Sequence, residues 1–204
     1  RKNNLYTAYS PDGEVLVPER YSSINSFVNQ RALVFRDGAY GYLNKNWEEI
    51  IPAIYEEAKP FSGGRALVKK DGLWGVIDTN GITALDFQYE AIQPFLPGVL
   101  KVKSNNLFGL IKEEGTVLVP AVFEALHNLK EGRMAAQKEG KYGYINLNGE
   151  WLIEPQYDWA GDFSEGRAIA KLEGKWGHID TLNQVITPFV YDKTGPFNQG
   201  IAYV

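Results

Sequence analysis

The chain has 204 residues, 44% hydrophobic and 13% aromatic, with 25 Asp and Glu against 21 Lys and Arg for a formal charge of −4 and no cysteine. That length and apolar share can form a packed core, and the small net charge removes the usual ground for disorder. The acidic balance and the lack of a long Lys/Arg run argue against sequence-independent binding to nucleic acid or anionic membrane, no run approaches the roughly 18 to 20 apolar residues of a bilayer span, and thiol chemistry is excluded.

Arg1 to Leu5 do not form a signal peptide. With no initial Met, the chain reads as a mature or trimmed piece of a soluble protein, cytoplasmic or exported with its targeting segment absent. From there the elements repeat. An aromatic followed by glycine recurs at Tyr40-Gly41, Trp74-Gly75, Phe108-Gly109, Tyr142-Gly143 and Trp176-Gly177, with Tyr6-Thr7 as a degenerate first copy, always 34 residues apart. A second aromatic keeps phase at Tyr21, Tyr55, Tyr89, Phe123, Tyr157 and Tyr191, and a third column reads Phe27, Phe61, Phe95, Leu129, Phe163 and Phe197. Self-similarity at a fixed period marks a solenoid, propeller or array whose units bury their apolar faces only by stacking.

Within one unit the punctuation is that of short strands. Asp-Gly between apolar runs, as at Asp37-Gly38 and Asp71-Gly72, is a strong two-residue hairpin signal. It recurs as Glu139-Gly140 and Glu173-Gly174, with Asn3-Asn4 and Asn105-Asn106 as tolerable substitutes. After each anchor comes an alternating run such as Val15-Leu16-Val17, Ile50-Ile51 or Val117-Leu118-Val119, then commonly a proline: Pro18, Pro52, Pro120, Pro155 or Pro188. Helical repeats of the same period are thereby rejected, because turn signals arrive too often and proline recurs where a helix would run. The glycine after the anchor predicts a bulge or a close approach, and the next unit's aromatic is expected against it.

The expectation is an all-β protein of six tandem 34-residue units of four short strands, forming a single domain over residues 1–204. A propeller-like closed ring is preferred, with an open β-solenoid as the alternative. The segment Ile201 to Val204 corresponds to a strand whose hairpin partner lies at the other end of the sequence, so a closed ring would share the terminal unit between the two termini.

The runs Gly72 to Gly81 (Gly-Leu-Trp-Gly-Val-Ile-Asp-Thr-Asn-Gly) and Gly174 to Asp180 (Gly-Lys-Trp-Gly-His-Ile-Asp), with Pro52 to Tyr55 and Phe163 to Ala168 (Phe-Ser-Glu-Gly-Arg-Ala), resemble the bacterial WG-repeat family across the whole chain. The sequence departs from that pattern at Thr7, at Trp47 and Asn183 in the turn-glycine position, and at Asp86 where proline is usual. The resemblance implies a β-repeat scaffold and no particular reaction.

No catalytic motif, cofactor fingerprint or metal-ligand spacing is present, so neither an enzyme, a cofactor nor a metal is expected. His127 and His178 fall in different phases; His178 follows an anchor glycine and is expected to pack or to face a channel. An acidic column, Glu56, Glu90, Glu124, Asp158 and Asp192, and a basic one, Arg31, Arg65, Arg133 and Arg167, read most simply as structural pairs or as groups satisfying turn backbone. Function in a repeat scaffold is sought in residues that break the repeat. Trp151 stands where other units have Val15, Glu49, Thr83, Val117 and Val185, and Trp159 where they have Ser23, Glu57, Ala91, Ala125 and Lys193. With Asp162, Trp47 and His178, these are the candidate binding residues. The expected role is a non-enzymatic scaffold recognising a protein partner, possible variants being an inhibitor or immunity-type protein; carbohydrate or cell-wall binding through the surplus tryptophans is the alternative.

Overall fold

The structure is a computed structural model and describes residues 5–203. Strands β1 (Tyr6–Tyr9) and β2 (Val15–Tyr21) pair as a two-stranded sheet. Five four-stranded antiparallel sheets follow, each built from strands consecutive in sequence. The first two comprise β3 (Ser23–Ile24), β4 (Arg31–Arg36), β5 (Ala39–Asn44) and β6 (Glu49–Tyr55), then β7 (Glu57–Ala58), β8 (Arg65–Lys70), β9 (Leu73–Asp78) and β10 (Thr83–Tyr89). The third comprises β11 (Ala91–Leu96), β12 (Val99–Ser104), β13 (Leu107–Lys112) and β14 (Val117–Phe123). The last two comprise β15 (Ala125–Leu126), β16 (Met134–Lys138), β17 (Lys141–Ile145) and β18 (Trp151–Tyr157), then β19 (Trp159–Ala160), β20 (Arg167–Leu172), β21 (Lys175–Asp180) and β22 (Val185–Tyr191). By internal contacts the chain forms two compact units, one of Arg1–Ile92 with Glu113–Gly115, the other of Gln93–Lys112 with Thr116–Val204.

The hairpins follow from turn chemistry. Asp37-Gly38, Asp71-Gly72, Asn105-Asn106, Glu139-Gly140 and Glu173-Gly174 all have positive φ at both positions, as a type I′ turn requires. The corresponding Asn3-Asn4 turn and Val204 lie outside the described residues. The wider turns between the third and fourth strands use a side-chain acceptor. Asp78 Oδ1 accepts from the amides of Asn80 and Ile82, and Asn44, Asn146 and Asp180 act alike in their units.

The anchor glycine has a different neighbour from the one expected. A Cβ on Gly143 would lie 2.4 Å from the Ile153 carbonyl oxygen, and one on Gly41 2.7 Å from the Ala53 nitrogen. The glycine therefore meets the backbone of its own sheet's outer strand, where the pairing register slips between Tyr142 and Tyr144, and not an aromatic of the next unit. The bulge itself is present.

Within each compact unit the core lies between consecutive sheets. In the first unit Leu33, Tyr42, Ile51 and Tyr55 pack with Phe61, Ala66, Val68 and Ile77; in the second, Ala135, Tyr144, Ile153 and Tyr157 pack with Ala160, Phe163, Ala168, Ala170 and Ile179. The second aromatic column is buried from Tyr21 to Tyr157, whereas the anchors Tyr40, Phe108, Tyr142 and Trp176 are half-buried. Each third-to-fourth-strand turn sits on the sheet before it. A Cβ on Gly81 would touch Ile51, and one on Gly149 would touch Val119.

Candidate functional site

Lys101, His127, Trp159 and Asp162 converge in the second unit. Lys101, on β12, occupies a column that reads Leu33, Leu67, Ala135, Ile169 and Tyr203 elsewhere, so an ammonium stands at a largely apolar position. Its Nζ donates to the Leu126 carbonyl and lies 5.3 Å from the Phe108 ring centroid. Burial pulls the Lys101 pKa below its ordinary value, and the charge of Asp162 opposes that shift only in part. His127 follows β15, its backbone amide held by the Ala135 carbonyl at 2.9 Å. Its ring meets Tyr142 at 5.7 Å and Trp159 at 6.2 Å, both edge-on. Nδ1 lies 3.7 Å from Asp162 Oδ1, close enough for charge attraction and too long for a hydrogen bond. Burial lowers the His127 pKa; Asp162 works against this and Lys101 reinforces it.

Trp159 is the wall these groups share. It lies on β19, edge-on to Trp176 at 5.3 Å, and its six-membered ring crosses the backbone of Gly161, where a Cβ would approach ring atoms at 3.0 and 3.1 Å. Gly161 belongs to a variable column that reads Asn25, Lys59, Gln93, His127 and Gly195 elsewhere. Lys101, Leu126, His127, Asn128, Trp159, Gly161 and Asp162 line a cleft of about 400 Å³. A second lobe of about 580 Å³ shares Trp159, Gly161 and Asp162 and adds Phe163, Ile169, Pro196 and Phe197, with Lys130, Ser164, Glu165 and Asn198 beside them. One lobe offers mixed donors and acceptors, the other mainly apolar surface.

The remaining candidates lie elsewhere. Trp151 packs edge-on against Phe123 at 5.7 Å and lines a separate cleft with Lys138, Glu139, Lys141, Glu154 and Pro155. Trp47, at φ +66° in the turn-glycine column, lies edge-on to Phe27 at 5.0 Å and joins the packing around Val17 and Tyr21. His178 is fully buried, and both its ring nitrogens have partners within the chain: Nδ1 lies 2.7 Å from the Thr187 hydroxyl and Nε2 2.8 Å from the Gly195 carbonyl. Since a carbonyl only accepts, Nε2 carries the proton. Tyr42 and Tyr144, in the same column, donate likewise to the carbonyls of Lys59 and Gly161 at 2.7 and 2.8 Å. His178 is thus a latch inside the sheet packing, with no surface to offer a ligand.

The charged columns serve backbone. The carboxylates of Glu56, Glu124 and Asp158 accept from the hairpin amides of Gly72, Gly140 and Gly174. Arg31 donates twice to the Thr79 carbonyl, Arg133 donates to that of Thr181, and the guanidiniums of Arg133 and Arg167 lie over Phe163 and Phe197. Among the described residues no group of three or more His, Asp or Glu is placed to hold a metal ion, and no helix is long and apolar enough to cross a membrane.

The fold therefore defines a β-repeat protein whose regular positions hold sheets together. The WG containing repeat family matches residues 40–74, 74–108, 108–142, 142–176 and 176–204, and the chain belongs to that family. No curated protein sequence matches. Among solved structures it is similar to Kluyveromyces lactis Hsv2p at 10% identity, over 83% of this chain and 65% of that one, with a TM-score of 0.39. It is also similar to Hsv2 of Kluyveromyces marxianus at 10% identity, over 83% and 63% of the two chains, TM-score 0.42. A third likeness is to PorZ, a surface component of the type-IX secretion system of Porphyromonas gingivalis, at 14% identity over 97% and 32%, TM-score 0.37. The chain spans about two-thirds of the length of either Hsv2 structure.

Proposed function

We propose that this chain is a non-enzymatic recognition module that takes a segment of a protein partner into the cleft around Lys101, His127, Trp159 and Asp162. An inhibitor or immunity-type role is one form of it. The observation that carries the reading is a meeting at one cleft: Lys101, the one charge in a largely apolar column, lines it together with Trp159, the one tryptophan of its column, and with His127 and Asp162. Lys101 is costly where it stands, since a half-buried ammonium loses hydration that an aliphatic side chain never had. A half-buried aromatic, as Trp159 is, beside a few polar groups is also the composition of an interface hot spot.

Capture from a cell lysate tests the reading, with the native chain, Trp159→Ala and Trp151→Ala compared. A protein retained by the native chain and Trp151→Ala but lost with Trp159→Ala is the expected result; equal retention by all three rejects the cleft. Carbohydrate binding is the second reading, favoured by an indole face flanked by both donors and acceptors, which suits hydroxyls that must do both. Saturable quenching of tryptophan fluorescence by an oligosaccharide, abolished by Trp159→Ala, would select it instead.

A further inference from the structure

One turn recurs at Asn29-Gln30, Gly63-Gly64, Pro97-Gly98, Glu131-Gly132, Glu165-Gly166 and Gln199-Gly200, and every residue of it except Pro97 has positive φ. Successive residues in that conformation turn their N–H groups to one side, making a concavity suited to an anion. The last two turns are filled from within. The carboxylate of Glu165 accepts from the amides of Gln199 and Gly200, both at 2.8 Å, and that of Glu131 accepts from Gly166 at 3.0 Å. Each of these glutamates stands one period before the turn it fills.

The residue one period before Glu131 is Pro97, whose ring has no group to accept a hydrogen bond. Pro97 also alters its own surroundings. β11 runs unbroken from Ala91 to Leu96, where the other four-stranded sheets have a two-residue strand followed by an isolated bridge such as Lys130↔Arg133. The repeat thus cannot give Glu131-Gly132 the carboxylate it gives the next two turns. That same turn carries the one cation of its column, Lys130, in place of Val28, Ser62, Leu96, Ser164 and Asn198. Arg133 closes it by donating to the Glu131 carbonyl at 3.1 Å, and Lys130 borders the larger lobe of the cleft.

The geometry points to the turn Lys130–Arg133 as a receptor for an acidic side chain of the bound protein. The N–H groups of Glu131 and Gly132, with Lys130 next to them in the chain, take an Asp or Glu carboxylate in the manner in which the chain places its own glutamates on the following turns. The φ values match, 49° and 74° here against 51° and 77° at the turn that holds the Glu165 carboxylate through both amides. Charge-assisted bonds of this kind are stronger than neutral ones and directional. The assignment rests on the proposed function insofar as the partner in the cleft supplies the acidic residue.

The test is an amide-proton NMR titration of the full chain with acetyl-Ala-Glu-Ala-amide and, at matched ionic strength, acetyl-Ala-Gln-Ala-amide. Saturable downfield shifts of the Glu131 and Gly132 amides with the glutamate peptide alone are expected, while Gly166, Gln199 and Gly200 stay in place. In Pro97→Glu the chain's own carboxylate takes the position, so both amides begin displaced and the response is abolished; Pro97→Gln keeps it. Equal response to both peptides, shifts spread over all three turns, or a Pro97→Glu variant that responds like the native chain would overturn the receptor. Silent amides with partner capture still lost in Trp159→Ala reject the receptor alone, whereas responding amides with capture unaffected by Trp159→Ala reject the cleft alone.

Discussion

Glu49 in the first unit and Trp151 in the second occupy the same repeat position and meet opposite chemistry. Glu49 accepts from the Tyr21 hydroxyl at 2.5 Å, from Arg36 at 2.9 and 3.2 Å and from the Ala53 amide at 3.3 Å, with Arg20 at 3.1 Å. Trp151 instead sets its edge against Phe123. The difference lies one column away, where Tyr21 has a hydroxyl and Phe123 has none. A buried hydroxyl requires an acceptor, and a phenyl ring is best covered by apolar surface, so each partner answers its neighbour. Tyr157 shows a third answer, donating to Asn183 Oδ1 at 2.6 Å. The seam between sheets is therefore specified in matched pairs, and even Lys101, an ammonium in a column of mostly aliphatic side chains, is met by the Leu126 carbonyl and the Phe108 ring.

Breaking the polar pair should have the largest effect. Glu49→Ala leaves the Tyr21 hydroxyl and the Arg36 guanidinium short of an acceptor, and a loss of about 3 kcal/mol is expected in urea unfolding. Adding Tyr21→Phe should cost less than the two single losses summed, by about 1 kcal/mol, because the hydroxyl then needs no acceptor. Strict additivity would show that the pair is not matched. Burial pushes the Glu49 pKa up, but hydrogen bonds from Arg36, Tyr21 and Ala53 outweigh it and hold the folded value below the ordinary one. The resulting stability is present above the unfolded pKa, near 4.5, and is lost as pH falls through the folded value, so Glu49→Gln should flatten the acid limb of the stability curve.

Breaking the aromatic pair should cost less. Trp151→Ala removes a half-buried indole from Phe123, for an expected loss of about 2 kcal/mol by the same unfolding measurement, with no gain in salt dependence. A smaller effect of opposite sign is expected from Lys101→Leu, which restores the residue found at Leu33 and Leu67. Relieving a partly desolvated ammonium should stabilise the second unit by about 1 kcal/mol while weakening partner capture. Lower stability together with unchanged capture would place Lys101 among the matched, structural residues.

Much of this organisation is legible in the sequence, and the reason is periodicity. Turn residues such as Asp71-Gly72 recur because left-handed backbone admits few residue types, and the Glu56 column recurs because every hairpin presents an amide to be capped. The closeness of Trp159 to Asp162 in sequence likewise survives as one wall of a cleft. Lys101 and His127 are harder to see, since nothing local marks them: Lys101 shows only as a charge in a column of mostly Leu, Ala and Ile. Grouping Trp151 with Trp159 by unit overlooks that the sheet boundary falls between them, after Tyr157, so that they line different clefts. His178 looks like an outlier because imidazole and phenol are unlike on paper, yet both can donate to the carbonyl 17 residues ahead.

The smallest predicted effect concerns His127 and separates the cleft from the matched pairs by the direction of its pH dependence. The groups facing its ring are Asp162, Lys101, Tyr142 and Trp159. Its folded pKa is lowered from 6.5, first by burial, against the pull of Asp162. The folded state thus resists protonation more than the unfolded chain does. The associated stability is full above the unfolded pKa and is lost as pH falls below about 6.5 toward the folded value, a window distinct from that of Glu49. Partial exposure limits the amount to less than about 1 kcal/mol. His127→Gln should remove this step from the stability profile between neutral and mildly acidic pH while leaving the Glu49 limb intact. If the step persists in the variant, burial of His127 is not its source, and the cleft is wetter and more open than its lining implies.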